Sequence, residues 1–165
     1  MNDQFSSLNS STLRSPKVVI IGAGMTGRDS LHIDEAWKDK IEAYRSVLLK
    51  DYPNFFLMLG PHTPMANFSV IAMSEVQADY IMQLLDGWMQ GDFDTVSPKQ
   101  EAITRYQQFI RDGLSGSAWA SGCQSWYMDA DGDAIVWPYS WGAYVDAMAK
   151  PELDDLNLYK QPASV

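Results

Sequence analysis

The chain has 165 residues, the size of one domain, and is long enough to bury roughly 70% of the surface that its unfolded form exposes. Its formal net charge of −9, without a cluster of lysine and arginine, excludes nucleic acid as the expected partner. No apolar run approaches the roughly 18 to 20 residues of a membrane span, and a single cysteine, Cys123, excludes an internal disulfide. These features predict a cytoplasmic protein that binds neither nucleic acid nor membrane.

The N-terminal part combines a polar leader with a strand and a glycine motif. Residues 1–15 are rich in serine and asparagine and lack an apolar period, which predicts a flexible leader. Residues 17–21 form a β-branched apolar strand that runs directly into Gly22, Gly24 and Gly27. In a GxGxxG motif the first glycine permits the turn, the second lets the backbone approach a pyrophosphate, and the third lets a helix pack closely.

The surroundings of this motif are incomplete for a dinucleotide site. Residues 28–34 have neither the apolar period nor the propensity of the helix that should begin at the last glycine. A second strand that ends in an acidic residue, expected about 20 positions further on for the ribose hydroxyls, is also missing. The glycines therefore form half of a site, which disfavours the hypothesis of a compact nucleotide-binding domain built on this motif alone.

The segment 34–48 supports two different predictions. Its apolar residues follow helical spacing from Trp37 to Leu48, and Asp34 is a suitable N-cap. A short strand across residues 43–48 is the alternative, and it is the one that the family resemblance described below favours.

The centre of the chain predicts a strand, a tight turn and a long helix. Phe55 to Leu59 is an unbroken apolar run that ends at Gly60, as expected of a strand buried on both faces. An apolar stripe at helical spacing begins near Asn67 or Ser69 and reaches Trp88. In this geometry the N–H groups of the first helical turn can bind a phosphate or the polar edge of a cofactor ring. A buried strand and helix joined by an ordinary loop is the simpler alternative.

A second helix is predicted after this segment. Ser97 at the N-cap, Pro98 at the first helical position and Gln100 three residues after the serine are the features of a helix start. The apolar period continues to about Asp112, and Gly113 is a suitable residue to end the helix. We expect this helix to serve as scaffold.

The C-terminal part predicts a hairpin and a last short helix. Residues 125–129 and 133–137 are short apolar stretches joined by an Asp-Gly turn, which is typical of two paired strands. Residues 141–148 predict the helix. Residues 151–165 are acidic and lack a period, which predicts a fraying tail.

Asp129, Asp131 and Asp133 form an acidic cluster that raises the hypothesis of a calcium site. A calcium-binding EF-hand loop needs glycine at its sixth position and glutamate at its twelfth. Counted from the first aspartate, Gly132 is fourth and Ser140 is twelfth. The sequence therefore predicts no metal site.

Several motifs in order resemble one enzyme family. PNFFLMLGPHTPMANFSV, residues 53–70, followed by Gln77, Tyr80 and Ile81, is similar to a segment of flavin-containing monooxygenases, in particular those of the Baeyer-Villiger type. That family segment reads PNxFxxxGPxTxxxxxS and lies against the flavin. The resemblance continues upstream in GRDSLHIDEAWKDKIEAY and downstream in GCQSWYMDADGDAIVWP, so it covers nearly everything from Gly27 to about Tyr144.

The resemblance implies an α/β fold: an incomplete FAD-binding Rossmann-like core, of the flavoprotein type with two dinucleotide-binding domains, and a helical and hairpin C-terminal part. Residues 16–150 would form a single partial domain. A junction near residues 25–28 would join the family's first strand and glycine turn to its C-terminal portion. The middle of the family's sequence, with the NADPH fingerprint and the catalytic arginine, has no counterpart here.

The resemblance also implies FAD and NADPH as cofactors and the insertion of one oxygen atom from O₂ into a ketone or at a soft heteroatom. The residues implied at the cofactor are Gly22, Gly24 and Gly27 toward the FAD pyrophosphate, and Gly60, Pro61, Thr63 and Asn67 toward the flavin. His62 stands where the family often has asparagine, and no residue is assigned a catalytic role. The alternative is a non-catalytic remnant or protein-interaction module that self-associates through exposed apolar surface.

Overall fold

The computed structural model describes residues 32–38, 40–63, 68–121, 127–129 and 132–161. Several sequence features lie outside these ranges, and the predictions made for them stay predictions: the leader 1–15, the junction near residues 25–28, Gly22, Gly24, Gly27, Asn67, Cys123 and Asp131.

The described residues form four helices and two strands. In chain order these are α1 (Ile33–Ala36), α2 (Val70–Gln90), β1 (Thr95–Pro98), α3 (Gln100–Leu114), α4 (Trp141–Met148) and β2 (Leu156–Tyr159). Two short 3₁₀ turns, Ala118–Ser121 and Leu153–Asp155, complete them. The strands pair antiparallel, with Thr95 opposite Tyr159 and Pro98 opposite Leu156.

The long helix predicted from the apolar stripe is confirmed as α2. Ser69 is its N-cap, and the serine hydroxyl accepts a hydrogen bond from the Ala72 N–H. Gly91 ends the helix with φ +79°, a left-handed conformation that glycine adopts without strain. Among the helices of the described ranges, none is long and apolar enough to cross a membrane.

The predicted start of the next helix is wrong by two residues, although the helix exists. Ser97 and Pro98 belong to β1, and α3 begins at Gln100 with Lys99 as its N-cap. Pairing with β2 holds the serine and proline in an extended backbone, and this pairing outweighs their local capping preference. Gly113, expected to end the helix, lies inside α3, where an added Cβ would come within 2.5 Å of the Tyr139 ring.

Neither alternative for residues 37–48 is correct. α1 is a single turn, and the chain then makes a tight turn in which Tyr44 and Leu48 form an isolated antiparallel bridge. Arg45 and Ser46 within this turn have φ values of 49° and 61°. These left-handed residues reverse the chain, which neither a helix nor a strand would allow.

The strand predicted from Phe55 to Leu59 is also wrong. Phe56 makes an isolated bridge with Leu48, but Asn54 and Leu59 have positive φ values of 60° and 55°. These two residues interrupt the extended backbone on both sides of the bridge. The segment is not buried on both faces, because Leu59 is 40% exposed.

The last helix is found where the sequence predicted it, whereas the described residues of the predicted hairpin pair through one isolated bridge and form no strand. Met128 bridges Ala134, and Gly132 in the turn has φ +84°. Helix α4 spans Trp141–Met148, and Ser140 caps it by accepting from the Ala143 N–H.

The expected fraying tail is wrong for the residues that form β2. Leu156 is 3% exposed, and the Lys99 N–H donates to the Asp155 carbonyl at 2.9 Å. Tyr44 reaches the same segment, because its hydroxyl donates to the Asp155 carboxylate at 2.6 Å. The end of the described chain is therefore part of the fold.

The main core lies between α2, α3 and α4 and is closed by the 44–48 turn and the two strands. Its buried residues include Val47, Leu48, Met73, Tyr80, Leu84, Val96, Ile103, Tyr106, Ile110, Tyr144, Met148 and Leu156. A smaller cluster of Ala43, Leu49, Tyr52 and Phe55 lies beside α1. Residues 58–63 contact this core region through Leu59 and Thr63, which both bond to Gln77 of α2.

Candidate functional site

The candidate site is the loop of residues 58–63, which approaches α2 from the preceding segment. Gly60, Pro61 and Thr63, three of the residues implied at the flavin, are all buried in it. Leu59 and His62 adopt left-handed φ values of 55° and 65°. Such backbone costs of order 1 kcal/mol for each residue that is not glycine, so surrounding contacts must hold the loop in shape.

One of these contacts is a close approach of two backbone segments. An ideal Cβ on Gly60 would lie 2.2 Å from the carbonyl oxygen of Ser46. Only glycine therefore fits at this position without movement of the 44–48 turn.

A second contact is made by a buried side chain of α2. Gln77 is 0% exposed; its Oε1 accepts from the Leu59 N–H at 2.7 Å and its Nε2 donates to the Thr63 hydroxyl at 2.8 Å. The Thr63 N–H also donates to the Gly60 carbonyl at 3.1 Å. The loop is thus tied to the helix at both of its ends.

His62 ties the loop to the hairpin. Its backbone N–H donates to the Ile135 carbonyl at 2.9 Å, and its ring lies edge-on to Tyr106 with 6.3 Å between the ring centroids. The side chain is 4% exposed, and its Nδ1 has no partner among the described residues. Burial lowers the pKa of His62 to about 4, so the imidazole is neutral near pH 7.

This burial predicts a stability that depends on pH. The unfolded chain binds a proton at His62 below pH 6.5 and the folded chain only below about 4, so stability falls as the pH drops between these values. The contribution of neutral His62 to the free energy of unfolding decreases by about 3 kcal/mol when the pH falls from 6.5 to about 4. In the His62→Asn variant the free energy of unfolding should depend less on pH over this range. Asparagine is chosen because it tolerates the left-handed backbone.

Urea unfolding at pH 4.5 and pH 7 measures the effect. The His32→Asn variant removes the N-cap histidine of α1 and is the control for loss of a histidine elsewhere. An unchanged pH slope in His62→Asn would contradict the buried neutral state.

The loop rests on tyrosines that are held neutral. The hydroxyl of Tyr144 faces Thr63 and Gln77 without completing a hydrogen bond of normal geometry, and burial raises the pKa of Tyr144 to about 12. Burial likewise raises the pKa values of Tyr80 and Tyr106 well above the usual range. These three tyrosines therefore carry no charge near neutral pH.

Five large apolar side chains in the loop and at the start of α2 are exposed. They are Met58, Leu59, Phe68, Val70 and Ile71, and each is between 40% and 73% exposed. Phe68 stacks on Trp141 at 4.1 Å and 13°, which joins Phe68 to α4. We call these five residues the apolar edge.

The prediction that the first helical turn offers free N–H groups is wrong for one of them, that of Ala72, and the Met73 N–H makes the first regular bond of the helix. The Ala72 N–H donates to the Ser69 hydroxyl at 3.3 Å, and the Met73 N–H donates to the Ser69 carbonyl at 3.1 Å. The N-terminus of α2 is therefore capped by its own serine, which leaves a weaker site for phosphate than the sequence predicts.

The structure brings together three of the seven predicted site residues, Gly60, Pro61 and Thr63, and the other four lie outside the described ranges. Sequence reasoning placed Gln77 in the family-like segment without giving it a role, and it did not single out Ser46. Gln77 is a polar residue on the apolar stripe of α2. Because a buried amide requires hydrogen-bond partners, this position could have indicated its role. The sequence has no comparable indication for Ser46, because the atom that contacts Gly60 is its backbone carbonyl oxygen and not its side chain.

In the described residues, no group of three or more potential metal ligands gathers. Asp129 and Asp133 are used within the hairpin, where the Asp133 N–H donates to the Asp129 carboxylate at 2.8 Å.

No family model matches the chain. An uncharacterised monooxygenase of Mycobacterium tuberculosis is 40% identical over 137 residues, which cover 82% of this chain and 28% of that protein. A Baeyer-Villiger monooxygenase of Streptomyces coelicolor is 33% identical over 124 residues, or 72% of this chain and 23% of that protein. The chain is a relative of the FAD-binding, Baeyer-Villiger-type monooxygenases.

The fold agrees with this family. A cyclohexanone monooxygenase from Rhodococcus sp. Phi1, solved with NADP⁺ bound, superposes with a TM-score of 0.70 at 22% identity over 82% of this chain and 27% of that one. The mixed helix and strand structure is thus a partial α/β core of these flavoproteins, as predicted. The chain spans about a quarter of the length of the monooxygenases it matches.

Proposed function

We propose that the chain provides the flavin-contacting loop and the C-terminal part of an FAD- and NADPH-dependent monooxygenase. The reaction would insert one oxygen atom from O₂ into a ketone or at a soft heteroatom. The observation that carries this proposal is the 58–63 loop, whose strained backbone is held by buried contacts beside the apolar edge. Strained and over-determined loops are typical of ligand sites.

The residues present fit the flat ring of a flavin better than a phosphate. The N–H groups of Leu59, His62 and Thr63 all donate to partners inside the protein, so they offer no cradle for an anion. The outward side consists of the side chains of Met58 and Leu59, which can cover an apolar ring. When bound, FAD would supply the oxygen chemistry, while the chain's residues bind, orient and exclude water.

The roles of the individual residues follow from their burial. Gly60 and Thr63 shape the loop from beneath, while Met58 and Leu59 would contact the ring. Asn67 toward the flavin and the three N-terminal glycines toward the pyrophosphate stay predictions.

We propose no catalytic residue within the described ranges. Arg45 donates to the Tyr44 hydroxyl and to the Ala147 carbonyl, and Arg105 pairs with Asp155. Both arginines are thus used to join parts of the fold.

Two exposed methionines provide a test of the flavin site. The Met58→Asp variant places a carboxylate in the apolar edge and should weaken FAD binding by about tenfold, which corresponds to about 1.4 kcal/mol. The Met89→Asp variant is the matched control, because Met89 is 60% exposed near the other end of α2. FAD affinity is measured by fluorescence titration, and equal affinities of the two variants would contradict the placement of the site.

The first measurement is the visible spectrum of the purified chain after incubation with FAD and removal of free dye. About one retained equivalent of flavin is the expected result, and NADPH oxidation with a ketone is then assayed. No retained flavin would reject the claim that this chain alone forms the site.

A second candidate function, a non-catalytic interaction module, is favoured by the apolar edge itself. Its five large apolar side chains are exposed, Ile71 to 73%, and protein contacts commonly cover exposed apolar side chains. Under this hypothesis the chain would self-associate in a concentration-dependent way, as measured by sedimentation, and Met58→Asp would weaken the association without any effect of FAD. The cytoplasmic location stays a prediction.

A further inference from the structure

A single side chain contacts both ends of the candidate loop. Gln77 lies on the buried face of α2, in line with Met73, Tyr80 and Leu84, at a position where an apolar residue would satisfy the packing. A buried amide costs free energy unless its groups are bonded, and here both ends of the amide are bonded to the loop. The carbonyl oxygen accepts from the Leu59 N–H and the amino group donates to the Thr63 hydroxyl.

The loop between these two contacts needs such a constraint. Leu59 and His62 are both left-handed without being glycine, and each would relax toward an ordinary φ if nothing opposed it. The bond from Gln77 is made at the strained residue Leu59 itself, and the second bond fixes Thr63, which directly follows the strained His62.

We propose that Gln77 is the positioning residue of the flavin loop. It acts through Leu59 and Thr63 and does not itself touch the ligand. By fixing the backbone of Leu59 it sets the direction of the Met58 and Leu59 side chains on the apolar edge. The identity of the ligand rests on the proposed function, while the positioning of the loop does not.

The test compares two buried glutamines. Gln77→Leu removes both bonds, whereas Gln107→Leu changes a glutamine of α3 that is 4% exposed and whose Nε2 has no partner among the described residues. We expect Gln77→Leu to lower the amide-exchange protection of Leu59 at least about tenfold and to weaken FAD binding by about tenfold, with neither change in Gln107→Leu. Similar effects in both variants would overturn the inference.

The Gln77→Glu variant provides a rescue that a merely structural role would not show. A glutamate at this position can accept from the Leu59 N–H in either ionisation state, and the Thr63 hydroxyl can donate to its second oxygen. Leu59 protection in Gln77→Glu should therefore be near wild type and at least about tenfold above that in Gln77→Leu. A protection that stays at the level of the leucine variant would overturn the inference.

FAD affinity tests the proposed flavin site, and Leu59 amide-exchange protection tests the positioning role of Gln77. If the wild-type chain retains no FAD, the proposed function fails, and the Leu59 protection factors alone decide whether Gln77 positions the loop. If Gln77→Leu does not fold, the Leu59 protection factor of Gln77→Glu relative to wild type decides the same question.

Discussion

The Gly60→Ala variant is expected to lower the free energy of unfolding by about 3 kcal/mol, the upper part of the range for overpacking in a core. The added methyl group would lie 2.2 Å from the Ser46 carbonyl oxygen, far inside contact distance. Ser46 cannot easily retreat, because it has φ 61° in a tight turn that Val47 and Leu48 anchor in the core. The loop must therefore move away from its supports.

Urea unfolding of Gly60→Ala measures this loss. Gly142→Ala is the matched control, because an added Cβ on Gly142 in α4 would meet nothing closer than 4.0 Å. Alanine favours a helix over glycine by up to about 1 kcal/mol, so the control should be neutral or slightly stabilising. Comparable destabilisation by both substitutions would contradict the role assigned to Gly60. The Gly60→Ala variant should also lose FAD affinity if the proposed function holds.

The helices were the most predictable part of this fold. α2 and α4 have a serine that caps the first turn and an apolar stripe at helical spacing, and both form where these local features place them. α3 was predicted but with the wrong start, because Ser97 and Pro98 pair with a strand about 60 residues away in sequence. Capping preferences are local and weak, and a long-range pairing overrides them.

The segment before α2 could not be predicted from local pattern. An apolar run such as Phe55 to Leu59 predicts a buried strand, yet Asn54 and Leu59 are left-handed. Leucine has no intrinsic preference for that conformation, so it is imposed from outside by Gln77 and by the contact of Gly60 with Ser46. Such contacts join residues that are far apart in sequence and leave no periodic pattern.

In the candidate site, too, some residues could be predicted from the sequence and others could not. Gly60 and Thr63 were found through the resemblance to a family motif, and the structure adds that both act from beneath the loop. Their supports, Gln77 and Ser46, were not assigned from the sequence. A motif therefore identified the loop, whereas the residues that give the loop its shape required the three-dimensional contacts.

The strongest test of the C-terminal strand is the Leu156→Ala variant, which should lower the free energy of unfolding by about 3 kcal/mol. Leu156 is 3% exposed and packs in the main core, so truncation leaves a cavity. Leu158→Ala is the matched control in the same strand, because Leu158 is 39% exposed and should lose less than about 1 kcal/mol. Each kcal/mol corresponds to roughly 2–4 °C in Tm for a chain of this size, so the two variants should differ clearly in a thermal scan. Two equally small losses would mean that β2 adds little to the stability of the fold, as the sequence-based prediction of a fraying tail implies.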